Sequence, residues 1–203
     1  MPPESTPPLD RRLGVLISGR GSNLQAIIDA IADGRLQATI AIVISDRADA
    51  HGLARARDAG IAARFMDPGA HPTRDAYDQA IADELLACRV DLVCLAGYMR
   101  RVRAPLLTAF PDRILNIHPS LLPAFPGLHA QRQALEHGAR ISGATVHVVT
   151  SDLDAGPIVK QGAVPVLEGD TEESLSARIL PVEHAIYPEA IRMVLEGQIV
   201  GNR

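Results

Sequence analysis

The sequence predicts an α/β fold with a mainly parallel central sheet, antiparallel late strands and helices on both faces. Three observations carry that prediction. Apolar runs of strand length alternate with segments of helical periodicity from residue 13 to about residue 119. The run "DLVCLAG" (91–97) is apolar almost throughout, as a strand buried on both faces requires. Two late runs, "ATVHVV" (144–149) and "IVKQGAVPV" (158–166), follow each other with no helix between them, which suits antiparallel pairing.

Each element has its own local signal. "LGVLIS" (13–18) is the first strand, and "NLQAIIDAIADG" (23–34) is a helix with apolar residues at helical spacing and a glycine stop. "ATIAIVIS" (38–45) is the second strand, "GLARARDAG" (52–60) the second helix and "AARFM" (62–66) a short third strand. "PTRDAYDQAIADELLAC" (72–88) forms the third helix, with Pro72 suited to its first turn. "PDRILNIHP" (111–119) adds a strand after "DLVCLAG". The closing stretch 171–197 reads as helix interrupted near Pro181 and Pro188, because proline removes a helical hydrogen bond. The first ten residues, "MPPESTPPLD", read as a disordered Pro-rich tail, leaving 11–203 as a single domain.

Composition narrows the function classes. The chain has 203 residues, 47% of them hydrophobic, and a formal net charge of -4. That balance offers no electrostatic footprint for nucleic acid, so any bound anion must be held by local geometry. Cys88 and Cys94 match no zinc spacing and read as buried structural thiols of a reducing compartment. No signal core and no membrane-length apolar run is present, so the expected location is cytoplasmic.

The loop "SGRGSN" (18–23) lies between the first strand and its helix. Such a turn aims backbone N–H groups and a helix N-terminus at one place, which favours an anion. A triphosphate loop would need Gly-Lys-Ser/Thr, and Ser22 and Asn23 stand there instead. A dinucleotide loop fits better, with Asp46 where a ribose-binding acid belongs, but Leu24 occupies the third glycine position. A single phosphate held by Gly21, Ser22 and Asn23 fits best, and a dinucleotide loop and a plain tight turn both stay open on this stretch alone.

A second polar cluster begins at Asn116. Asn116 and His118 are two residues apart, so on a strand they face the same side at its C-terminal edge. An amide donor beside an imidazole can meet a developing oxyanion and supply a proton. Pro119, Pro123 and Pro126 would hold the following loop rigid. Asp154, in the loop between the two late strands, could return to the same edge and favour the imidazolium. His147 reads equally as support for this group or as a hydrogen-bonded strand histidine. Leu95 and Met99 read as pocket walls or as core.

The stretches "LISGRGSNLQAII", "LAGYMR", "ILNIHPSLLPAFPG", "DLDAGPI" and "EHAIYP" occur in one order and spacing over residues 13–197. Together they closely resemble the phosphoribosylglycinamide formyltransferases (glycinamide ribonucleotide transformylases), folate-dependent enzymes of purine biosynthesis. The resemblance implies a Rossmann-like formyltransferase fold and a single formyltransferase domain. It implies transfer of a formyl group from 10-formyltetrahydrofolate, a co-substrate, to the primary amine of glycinamide ribonucleotide, with no metal. It makes Asn116, His118 and Asp154 catalytic, and gives the ribonucleotide to Gly21, Ser22, Asn23 and Glu183. It gives the folate to Arg74, Met99, Arg100, Arg101, Val102, Asn116, Thr150, Ser151, Asp152, Leu153 and Asp154. Small-molecule substrates are the implied partners, with neither nucleic acid nor membrane, in a monomer or homodimer. Arg101 departs from the family pattern, which has an apolar residue there.

Two further readings are weighed beside it. A formyltetrahydrofolate deformylase shares the core but adds an N-terminal regulatory domain, where this sequence shows only the Pro-rich stretch. A non-catalytic nucleotide-binding module would bind nucleotide without needing Asn116 and His118.

Overall fold

The computed structural model describes residues 11–198, so the predicted tail over 1–10 lies outside the described residues. Seven strands form one sheet in the order β3-β2-β1-β4-β5-β6-β7. In chain order the parallel part comprises β1 (Arg12–Ile17), α1 (Ser22–Ala32), β2 (Thr39–Ser45), α2 (His51–Asp58), β3 (Ala63–Phe65), α3 (Arg74–Ala87), β4 (Leu92–Leu95), α4 (Ala104–Ala109) and β5 (Ile114–His118). α5 (Ala130–Glu136), β6 (Ile141–Val148), β7 (Ile158–Pro165) and α6 (Glu172–Leu195) complete it. The pairs up to β4–β5 are parallel, and β5–β6 and β6–β7 are antiparallel, as the sequence pattern predicts.

Alternate residues of the strands feed two cores. Leu13, Val15 and Ile17 of β1 pack with Leu24, Leu53, Ile179 and Tyr187 from α1, α2 and α6. Leu16 packs on the other face with Tyr77, Ile81 and Leu85 from α3 and with Leu106 of α4. Helices therefore cover both faces, which is why β1 and β4 are apolar nearly throughout. The strand order reverses at β1, between β2 and β4, so a crevice opens outside the carboxyl ends of β1, β4 and β5.

Four local readings are corrected by the packing. α6 runs unbroken through Pro181 and Pro188 for 24 residues. Burial of Leu175, Ile179, Ile186 and Tyr187 along one face outweighs the lost backbone bonds, and Thr171 caps the start with Ser174. Pro72 lies before α3 rather than in its first turn; Thr73 is the N-cap, its hydroxyl accepting from the Ala76 N–H. α4 and α5 are six and seven residues long, too short for their periodicity to stand out. Cys94 is a buried free thiol, but Cys88 is only half-buried because it caps α3 at the surface.

α6 is pinned to the sheet at the crevice. The fully buried Tyr187 hydroxyl lies 2.9 Å from the Leu95 carbonyl and 3.2 Å from the Leu115 carbonyl. Tyr187→Phe removes that buried donor while the strand pairing of both carbonyls remains, so it is expected to cost about 0.5–1.5 kcal/mol. A lower urea midpoint with an unchanged slope is the expected reading.

Candidate active site

Two cavities meet at the crevice, and they share Gly97, Met99 and Pro119. The larger, about 690 Å³, is lined by the β1–α1 loop and by one side of α6. The smaller, about 400 Å³, lies between the loop after β4, the end of β5 and the loop joining β6 to β7. Both fall in the size range of small-molecule sites.

In the larger cavity the glycine loop is held from behind by α2. Gly21 is the N-cap of α1 with φ +71°, a left-handed conformation that suits glycine. A Cβ there would also lie 2.6 Å from Gly52 Cα, so two backbones touch at this point. The Gly52 N–H donates to the Gly19 carbonyl at 3.0 Å, and Arg55 Nε donates to the Arg20 carbonyl at 3.0 Å. With those carbonyls engaged, the first-turn N–H groups of α1, which have no partner within the helix, remain to meet a ligand. Gly21, Ser22, Asn23 and Glu183 all line this cavity, as the sequence resemblance requires. Asn23 Nδ2 donates to Glu183 Oε2 at 2.7 Å, linking α1 to α6. Burial pushes the Glu183 carboxyl up, while the Asn23 amide pulls it the other way.

The smaller cavity contains the predicted polar trio. β5 carries both Asn116 and His118, and the β5–β6 register sets Asn116 opposite His147. Asn116 Nδ2 and His147 Nε2 are 3.2 Å apart. His118 is 5% exposed, and its Nε2 donates to the Phe125 carbonyl at 2.9 Å. The Pro-rich loop aims that carbonyl by folding back, with the Ser120 hydroxyl donating to the Ala124 carbonyl at 2.6 Å. His118 Nδ1 faces Asp154 Oδ2 at 3.5 Å, and His147 Nε2 faces Asp154 Oδ1 at 3.6 Å. The Gly127 N–H also donates to Asp154 Oδ2, at 2.8 Å. His147, the Gly127 N–H and His118 together hold the Asp154 carboxyl down at about 2, against the opposing effect of burial.

The other predicted side chains divide. Met99, Arg100, Arg101, Val102, Thr150, Asp152 and Leu153 line the smaller cavity with the trio. Met99 is 69% exposed and borders both cavities, so it is a wall and not core, whereas the buried Leu95 is both. Arg74 lies instead in an adjoining recess of about 160 Å³ with Asp78, Met99, Arg100 and Arg101. Ser151 does not line the cavity; its carbonyl accepts from Arg101 Nη2 at 2.5 Å. That bond ties the two loops walling the cavity, which gives the unusual Arg101 a use the sequence did not suggest. Arg103, a neighbour in the same loop, is occupied by Asp75 at 3.1 Å.

Sequence reasoning left out Gly127, Leu128 and Val149 from this cavity, and it left His147 between support for the trio and a plain strand histidine. Among the described residues, no group of three or more His, Cys, Asp or Glu is placed to hold a metal ion. No described helix is long and apolar enough to cross a membrane.

The formyl transferase family model matches residues 11–191, which include the loop, the trio and Glu183. The chain belongs to the formyl transferase family. This formyl transferase is 48% identical over 185 residues to the phosphoribosylglycinamide formyltransferase of Escherichia coli, covering 91% of this chain and 87% of that one. It is 46% identical to part of the human trifunctional purine biosynthetic protein adenosine-3, covering 93% of this chain but only 19% of that longer protein. Among solved structures, glycinamide ribonucleotide transformylase 1 from Symbiobacterium toebii superimposes with a TM-score of 0.94 at 64% identity. That match covers 97% of this chain and 92% of the other.

Proposed function

We propose that this formyl transferase moves the formyl group of 10-formyltetrahydrofolate to the primary amine of glycinamide ribonucleotide, in purine biosynthesis. The products are N-formylglycinamide ribonucleotide and tetrahydrofolate. The observation that carries the reading is the pair of adjoining cavities, with Asn116, His118 and Asp154 on the wall of the one that shares Gly97, Met99 and Pro119 with the phosphate-loop cavity.

The larger cavity takes the ribonucleotide. Its phosphate lies on the first turn of α1 at Gly21, Ser22 and Asn23, and Glu183 faces the sugar. The smaller cavity takes the folate, with the flat ring against Leu95, Met99 and Val102 and the formyl group toward Asn116. Arg74 and Arg100 in the adjoining recess offer positive charge to the folate's carboxylate tail. The donor site needs no metal.

The neutral substrate amine attacks the formyl carbon, and negative charge grows on the formyl oxygen. Asn116 and the protonated His118 meet that charge as fixed donors. His118 Nε2 already donates to Phe125, so the proton available for the reaction is the one on Nδ1. It faces Asp154 across 3.5 Å, longer than a normal hydrogen bond, and is free to turn to a closer acceptor. Asp154 stays ionised, keeps the imidazolium oriented and helps pass the amine's proton to the departing folate nitrogen. His147 braces both Asn116 and Asp154.

Residues 11–203 act as one formyltransferase domain, a reading supported by the single sheet from β1 to β7. The enzyme works on small molecules in the cytoplasm, as monomer or homodimer, without nucleic acid or membrane.

Absorbance-monitored conversion of 10-formyltetrahydrofolate tests the proposal. Conversion is expected only when glycinamide ribonucleotide is present. Conversion without it would make the enzyme a deformylase, and no conversion in either case would leave a binding module. Gly21→Ala adds a methyl against Gly52 in a strained conformation. The ribonucleotide KM is expected to rise at least tenfold, with the folate KM unchanged.

A further inference from the structure

The larger cavity has an electrostatic problem. Three carboxylates line it, Glu172, Glu173 and Glu183, and among the described residues Glu172 alone is paired with an arginine, Arg132 at 2.9 Å. Yet the proposed substrate brings a phosphate of nearly two negative charges. A helix N-terminus offers about half a unit charge in return. Among the described lining residues Arg20 is the one basic side chain.

Arg20 is also uncommitted. It is exposed, and no carboxylate among the described residues pairs with its guanidinium. Its position is nevertheless defined by its backbone. Arg55 holds its carbonyl, and Gly52 holds the carbonyl of the preceding Gly19. The side chain therefore leaves from an anchored loop, one residue before the N-cap of α1. Its charge reaches Glu183 across the cavity and opposes the rise that burial gives that carboxyl.

We propose that Arg20 is a specificity-determining residue that clasps the 5′-phosphate with its guanidinium, selecting a phosphate monoester over its unphosphorylated ribonucleoside. The inference rests on the proposed ribonucleotide reading of this cavity and adds to it a contact beyond Gly21, Ser22 and Asn23. The α1 N–H groups shape the phosphate seat, and Arg20 supplies the one full positive charge among the described lining residues. A guanidinium presents paired donors to phosphate oxygens, while an ammonium supplies a point charge.

The test compares wild type with Arg20→Ala and Arg20→Lys in three measurements. With saturating folate, Arg20→Ala is expected to raise the ribonucleotide KM about tenfold, with kcat within about twofold. Arg20→Lys is expected to recover part of that loss, because it restores the charge but not the paired donors. Inorganic phosphate, titrated calorimetrically without folate, is expected to bind wild type and to bind Arg20→Ala at least fivefold more weakly. Raising salt should weaken phosphate binding to wild type more than to Arg20→Ala. An unchanged KM in Arg20→Ala, equal phosphate affinity in both proteins, or the same loss in Arg20→Lys as in Arg20→Ala would each overturn the proposal. The two readings fail separately. Arg20-dependent phosphate binding with no ribonucleotide-dependent turnover would sink the enzyme reading and keep the phosphate clasp. Turnover with phosphate binding indifferent to Arg20 would do the reverse.

Discussion

Replacing His118 by alanine is expected to lower kcat by about 10²- to 10⁴-fold, the range of a lost acid or oxyanion donor. The ribonucleotide KM should change little, because His118 lines only the smaller cavity. Asn116→Ala should fall in the same range by a separate route, since it removes an amide without touching the imidazole. The double variant is expected to lose less than the product of the two single losses, because both donors serve one developing charge. Steady-state kinetics on the four proteins, with circular dichroism to confirm folding, checks this. A His118→Ala enzyme with wild-type kcat would remove the imidazole from the mechanism.

Asp154→Asn is expected to lower kcat by about 10²-fold while leaving ribonucleotide binding intact. The amide can still accept from the Gly127 N–H, but it cannot hold a charged imidazolium. The same variant tests the electrostatics through stability. The Asp154 carboxyl is held at about 2, below its ordinary value, by His147, the Gly127 N–H and His118. A depressed carboxylate contributes stability in full above its unfolded value near 4, and loses it as pH falls through about 2. Wild type should therefore exceed Asp154→Asn in urea midpoint at about pH 5. That advantage should shrink between about pH 4 and pH 2. An advantage that stays the same between about pH 4 and pH 2 would mean that these groups do not hold the Asp154 carboxyl down.

Kinetics of Arg101→Leu would add a check on the loops. The guanidinium bond to the Ser151 carbonyl directly ties two loops that wall the smaller cavity. Its loss is expected to raise the folate KM several-fold, with the ribonucleotide KM unaffected.

Much of this molecule is written in local pattern. Continuous apolar runs set β1, β2 and β4 because helices cover both faces of the sheet, and a run of that kind has few other uses. The two-residue spacing of Asn116 and His118 put both on one side of β5 at its C-terminal end, and the glycines before α1 marked the tight turn into that helix. Those features depend on the backbone geometry of a few neighbouring residues, so they are legible in local pattern. Other features required distant residues to meet. The antiparallel register of β6 decides that His147 stands opposite Asn116, and a one-residue slip would turn it to the other face. The return of the β6–β7 loop brings Asp154 to His118, and a 50-residue separation closes between Arg101 and Ser151. α6 stays helical through two prolines because its buried face packs on the sheet and on α1, which local propensity cannot register. Register, loop return and helix continuity are settled by burial and hydrogen bonding between residues far apart in the chain, which no local pattern encodes.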